Sequence, residues 1–240
     1  MNNGNLFDYV HTILRKEKRG NIIKPDRFSH LLKVCHHEYY NQQVEKFDLS
    51  QTVHDSLRPF LVINDSATFS TGVEAIADLT STYRNMVAAY AGTTNARFDI
   101  VTPQEWVWRL DDELTQPTAA KPIMMVDGTN INILPTSITA GYVTYLKEAD
   151  NEPFFDYYID ANRDIQWMGI NAAEYTLQTS EVYRDGTTSG KVVSINRELE
   201  WNDFDKMRIL DLILQKLGVS LSEAEIVQYA NIQQQKANTV

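Results

Sequence analysis

Between Thr102 and Tyr158 the chain carries a capped helix, a proline-rich joint, a β-hairpin and a further strand, with no catalytic constellation along them. Thr102-Pro103-Gln104-Glu105 is a helix start. The threonine side chain accepts from the free N–H of Glu105, Pro103 has the preset φ of a first helical residue, and Glu105 reaches back to the cap. Trp106, Val107, Leu110 and Leu114 then fall on one face at helical spacing. Gln116-Pro117-Thr118 breaks that pattern before Lys121-Pro122 opens a strand. Ile123 to Val126 and Thr129 to Leu134 read as two strands joined at Asp127-Gly128, which tolerates the positive φ angles of a type I′ turn. Gly141 to Leu146 is a further strand by its β-branched and aromatic content. Helix and hairpin signals mixed in this way predict an α+β fold, with a small antiparallel sheet and helices on one face.

The flanks extend this reading into four parts. Residues 1–96 read as an N-terminal helical part. Leu6, Tyr9, Val10, Ile13 and Leu14 make an amphipathic first helix that Gly20-Asn21 ends, and Pro25-Asp26 opens a longer one carrying Phe28, Leu31, Leu32, Cys35 and Tyr39. A short helix around Val53 and Leu57 stops near Arg58-Pro59. Past a polar turn at Asn64-Asp65-Ser66, the spacing of Ile76, Leu79, Tyr83, Met86, Val87 and Tyr90 predicts another helix, closed by Gly92. Residues 97–159 are the mixed helix and β-hairpin part. Residues 160–198 read as an extended hairpin arm, with strand-like Tyr175 to Tyr183 and Lys191 to Ile195 flanking a Gly- and Thr-rich turn. Residues 199–240 are a C-terminal helical pair and tail. Glu200-Trp201-Asn202-Asp203 opens a helix with Met207, Leu210, Leu214 and Leu217, and Gly218 is its C′ residue. Ser222-Glu223-Ala224-Glu225 is a capping box for the next helix, and a polar tail runs from Asn231 to Val240.

Composition decides between function classes. With 240 residues, 43% of them hydrophobic, the chain can bury a substantial core. A formal charge of −10 argues against a protein whose task is to grip phosphate backbones. It suits a soluble surface, and equally the wall of a channel through which nucleic acid passes without sticking. The basic cluster Arg15-Lys16 and Lys18-Arg19 complements the dipole at the end of the first helix. No apolar run approaches the roughly 18 residues of a membrane span, and the first residues lack a secretory pattern, so the chain is expected to stay in the cytoplasm where it is made. Its single cysteine, Cys35, excludes an internal disulfide and reads as a buried thiol.

Catalytic readings fare poorly. His30, Cys35, His36, His37 and Glu38 include only one pair, His30 and His37, that shares a helix face, which is too few for a metal. Asp111-Asp112-Glu113 reads as a solvated helix face. The chain has no phosphate loop, nucleophile elbow or paired-cysteine motif, so no enzyme activity, cofactor or metal is expected. Aromatic placement is more informative. Trp108 lies about 200° around its helix from Trp106, towards the charged side, where a large aromatic fits either a contact with another subunit or a two-sided helix packed between the sheet and the helical part. Phe154 and Phe155, in the run Phe154-Phe155-Asp156-Tyr157-Tyr158, fit either core or interface. Together with Tyr183 in the arm and Ile232 and Val240 in the tail, they complete the candidate subunit-contact residues.

The order of these elements resembles the head–tail connector or neck-ring proteins of tailed bacteriophages, particularly crAss-like phages and relatives that infect Bacteroidetes. The resemblance is carried by Thr102-Pro-Gln-Glu-Trp106, Leu114-Thr-Gln-Pro-Thr118 with Lys121-Pro-Ile123, Leu134-Pro135, Val143-Thr-Tyr-Leu146 and Glu152-Pro-Phe-Phe-Asp-Tyr157. It continues through Leu199-Glu-Trp201, Ile213-Leu214, Leu217-Gly-Val-Ser-Leu221 and Gln228-Tyr-Ala230, and so spans nearly the whole chain. Asp160 to Ile195 is longer than the pattern, and a Leu-Pro usual before Tyr83 is absent. The resemblance implies a virion structural protein that forms a ring in the neck, of about twelve copies matched to the portal. Its partners would be its own copies, the portal and other neck or tail proteins, with DNA passing through the lumen unbound and no membrane. The competing expectation is a small acidic adaptor that binds nucleic acid or a host protein as a monomer or dimer.

Overall fold

The computed structural model of the protein describes residues 1–16, 23–47, 51–112, 114–149, 152–169 and 173–218. Expectations about Gly20-Asn21, the side chains from Arg15 to Arg19, Glu113, the helix opened at Ser222, and the tail with Ile232 and Val240 lie outside the described residues. The fold is α+β, and the chain divides into two compact units, Phe60–Asp150 and Met1–Pro59 with Asn151–Val240. The discontinuous unit begins with α1 (Asn3–Lys16), α2 (Pro25–Glu45) and α3 (Gln51–Leu57). The central unit follows with β1 (Leu61–Thr68), β2 (Val73–Ala75), β3 (Tyr83–Ala91), β4 (Asp99–Ile100), α4 (Pro103–Asp111), β5 (Ile123–Val126), β6 (Asn130–Leu134) and β7 (Ala140–Lys147). The chain then returns to the first unit with β8 (Tyr157–Ile159), β9 (Ile165–Trp167), β10 (Glu174–Leu177), β11 (Val182–Tyr183), β12 (Gly190–Val193) and α5 (Asp203–Lys216).

In the central unit, β7 lies between β1 and β3 in one antiparallel sheet, and a second sheet has the order β2-β6-β5-β4. The helix expected over 76–92 is therefore corrected: only Ile76–Asp78 forms a 3-10 turn, and Tyr83–Ala91 is a strand. Its pairing with β7 slips twice, between Tyr83 and Asn85 and between Met86 and Ala88. Each bulge adds a residue, so the apolar positions leave the strand period of two and mimic helical spacing. The small residues Ala67, Gly141 and Ala91 form one row across this sheet. A Cβ on Gly141 would lie 2.8 Å from the Tyr90 carbonyl oxygen and 3.1 Å from the Phe69 ring, so the glycine is required by close approach. Above it Phe69 and Phe98 join Met124, Ile131, Ile133 and Tyr145 in a buried cluster.

Pairing of β5 with β6 bears out the hairpin, with the turn one residue later than Asp127-Gly128. Asp127 N–H donates to the Asn130 carbonyl at 3.0 Å, so Gly128-Thr129 are the central residues. Only Gly128 has positive φ, +84°, which is the type II′ pattern and not I′.

The discontinuous unit is built on helix packing. α5 packs on α2 and α1 through Ile209, Leu210, Ile213 and Leu214, all buried. Asn202 caps α5 by accepting from Asp205 N–H at 2.9 Å, and Gly218 at φ +79° is the C′ residue. Phe7, Phe28 and Phe155 form an aromatic triad with ring centroids 4.7 to 5.5 Å apart. Two further sheets, β11-β8-β9 and β10-β12, complete the unit. β10 and β12 are the paired halves expected of the arm, while β11 turns back to pair with β8. Met168, Leu177, Tyr183 and Val192 give this segment a small core of its own.

Candidate functional site

α4 carries one of the candidate contact residues, Trp108. Its start forms as expected: Thr102 Oγ1 accepts from Glu105 N–H at 3.3 Å and Pro103 occupies the first turn. Glu105 does not spend its carboxylate on the cap. It accepts from Arg109 Nη2 at 2.7 Å, and Asp99 holds the same nitrogen at 2.5 Å, so the helix is fixed against the end of β4. These two carboxylates, the Glu105 hydrogen bond foremost, raise the guanidinium pKa further. α4 ends at Asp111, and Asp112 accepts from Leu114 N–H at 3.0 Å and from the Thr115 hydroxyl at 3.0 Å. Leu114 thus leaves the helix.

No residue of α4 is buried. Trp108 is 62% exposed, Val107 55%, Leu110 45% and Leu114 95%. Trp108 stands in the open, so α4 is not packed on both sides. The face that the spacing aligned is open as well at Val107, Leu110 and Leu114, and only its Trp106 is half-buried. The other candidates separate. Phe154 is half-buried, whereas Phe155 at 1% and Tyr183 at 6% exposure are packed within the chain's own core. Those two are removed as contact residues, because their surface is already covered: Phe155 by Phe7 and Phe28, Tyr183 by the core of the β10–β12 segment.

Sequence reasoning missed a cleft of about 560 Å³ in the discontinuous unit. α2 contributes His30 and Lys33 to it, and the opposite wall holds Phe154, Arg184 and Arg197. Its charges are largely paired internally. Lys33 forms an ion pair with Glu152, and this contact holds the Glu152 carboxyl below the usual range. Arg184 Nε lies 3.0 Å from Oδ1 of Asp156, which is fully buried, and its guanidinium sits 5.1 Å from the Phe154 ring. No motif marks this cleft, since its residues come from positions over 150 apart along the chain.

Of the histidine and cysteine cluster, Cys35 and His36 serve packing. Cys35 is fully buried, and burial pushes its thiol up to about 11. His36 Nδ1 accepts from Trp201 Nε1 at 2.8 Å, joining α2 to the segment before α5. Among the described residues no group of histidine, cysteine and carboxylate side chains is arranged to hold a metal ion, and no helix is long and apolar enough to cross a membrane. No family model matches the chain, and no curated protein sequence matches it.

Proposed function

We propose that this protein is a virion structural component that assembles as a ring in the neck of a tailed bacteriophage, between portal and tail, and gives genomic DNA a conduit. The observation that carries the reading is α4, a capped and doubly salt-bridged helix that leaves Val107, Trp108 and Leu110 in solvent. Rigidly held exposed apolar side chains suit a protein contact, and identical copies repeating one contact close into a ring when the rotation permits. The net charge of −10 favours a lumen that repels DNA, and the order of motifs along the chain supports the neck assignment. The role is mechanical and involves no catalytic step, cofactor or metal. About twelve copies would match a portal of the same symmetry.

Native mass measurement of the purified chain, alone and with the portal protein of the same phage, tests this. A closed oligomer, free or on the portal, is the expected result. A chain that stays monomeric or dimeric in both preparations would instead favour the small acidic adaptor.

A further inference from the structure

Across the sheet β1-β7-β3, one row pairs Ser66 with Tyr142 and Tyr142 with Tyr90, and a bridge continues it from Tyr90 to Arg97. Residues directly opposite on antiparallel strands project from the same face. All four are exposed, Tyr90 at 38% and Tyr142 at 46%, whereas Gly141 and Val143 beside them point into the core. The solvent face of this sheet therefore presents two tyrosines and an arginine side by side. Arg97 has no ion pair among the described residues. Tyrosine and arginine on a stiff element are the residue types that dominate protein contacts.

The same unit carries a surface of opposite character. α4 exposes Val107, Trp108 and Leu110, and four carboxylates, those of Asp99, Glu105, Asp111 and Asp112, lie on it or at its ends with one guanidinium, that of Arg109. Arg109 is already held by Asp99 and Glu105. Asp111 and Asp112 are left without a cationic partner among the described residues. We propose that the Tyr142–Tyr90–Arg97 row of one copy docks on α4 of a second copy of this chain, tyrosine rings on Trp108 and Leu110, Arg97 at the Asp111–Asp112 carboxylates. The choice of a second copy as occupant rests on the ring reading and on this charge complementarity. Single-stranded nucleic acid, which also stacks on aromatic rows, is disfavoured by the one cation in the row and the net charge of −10.

Two half-blocked chains test the contact. Trp108→Ser with Leu110→Ser keeps the row and removes the helix surface. Tyr90→Ser with Arg97→Glu keeps the helix surface and removes the row. All four positions are exposed, and thermal melting checks that both chains fold. Sedimentation should show self-association weakened about tenfold or more in each variant alone, and a one-to-one dimer on mixing them that weakens with added salt. Exchanging the charges in one chain, Arg97→Asp with Asp111→Arg, should restore assembly. Variants that assemble as the parent does, or a mixture that stays monomeric, would overturn the contact. So would micromolar binding of an oligothymidylate that is lost with Tyr90→Ser. If the parent closes into rings and so do both variants, the ring stands and this contact fails. If the mixed variants dimerise while the parent grows open filaments, the contact stands and the ring fails.

Discussion

Asp156 shows how much of this structure hangs on single buried groups. Its fully buried carboxylate accepts from the Tyr183 hydroxyl at 2.7 Å and Ile195 N–H at 2.9 Å, and pairs with Arg184 Nε at 3.0 Å. Asp156→Ala strands those donors, and urea denaturation should show a loss of about 3 kcal/mol. His36 gives the chain a pH dependence. Burial, helped by His37 and opposed by Glu200 and Glu152, lowers its pKa from 6.5 to about 4. The unfolded chain takes up a proton near pH 6.5 that the folded chain refuses until about pH 4. The contribution of neutral His36 is complete above that window and is lost as pH falls through it, by about 3 kcal/mol in full. Denaturation at pH 7.5 and pH 4.5 should show a larger drop for the parent than for His36→Asn, which keeps an acceptor for Trp201. Cys35, its thiol raised to about 11, should resist Ellman's reagent at pH 8 in the folded chain and react completely in urea. The burial of Cys35 was legible from its place on an apolar helix face. The partners of Asp156 and His36 were not, because each is met only when distant segments pack.

At the scale of elements, local chemistry was a good guide wherever a cap or turn residue decided the outcome. The α4 start at Thr102-Pro103, the α5 cap at Asn202 and the glycine at position 218 all lie where side-chain hydrogen bonding and backbone freedom put them. Thr102→Ala should cost the α4 end about 1 kcal/mol, measurable as faster amide exchange over 104–107. Periodicity failed at β3 because two bulges changed its period, and at α4 spacing reports an apolar face but not whether anything lies opposite it. Sheet β1-β7-β3 also carries a requirement invisible in composition, the close approach at Gly141. Gly141→Ala should destabilise by about 2 kcal/mol and lower the melting temperature, since the nearest obstruction is backbone and cannot swing away.

For the whole molecule, two compact units and a net charge of −10 come with exposed apolar side chains, Trp108 among them. The cleft and the tyrosine row escaped sequence reading for one reason: both are assembled by long-range pairing, in residues that carry no motif. Mechanical assembly predicts that EDTA leaves the melting temperature unchanged, whereas a structural metal would make it fall. The central claim is assembly through the exposed α4 face. Native mass spectrometry of the parent chain and of Trp108→Ser, each with its portal, tests it most directly. A closed oligomer for the parent and a shift towards free monomer for the variant is the predicted result. A parent that remains monomeric, or a variant that assembles to the same mass at the same concentration, would contradict it.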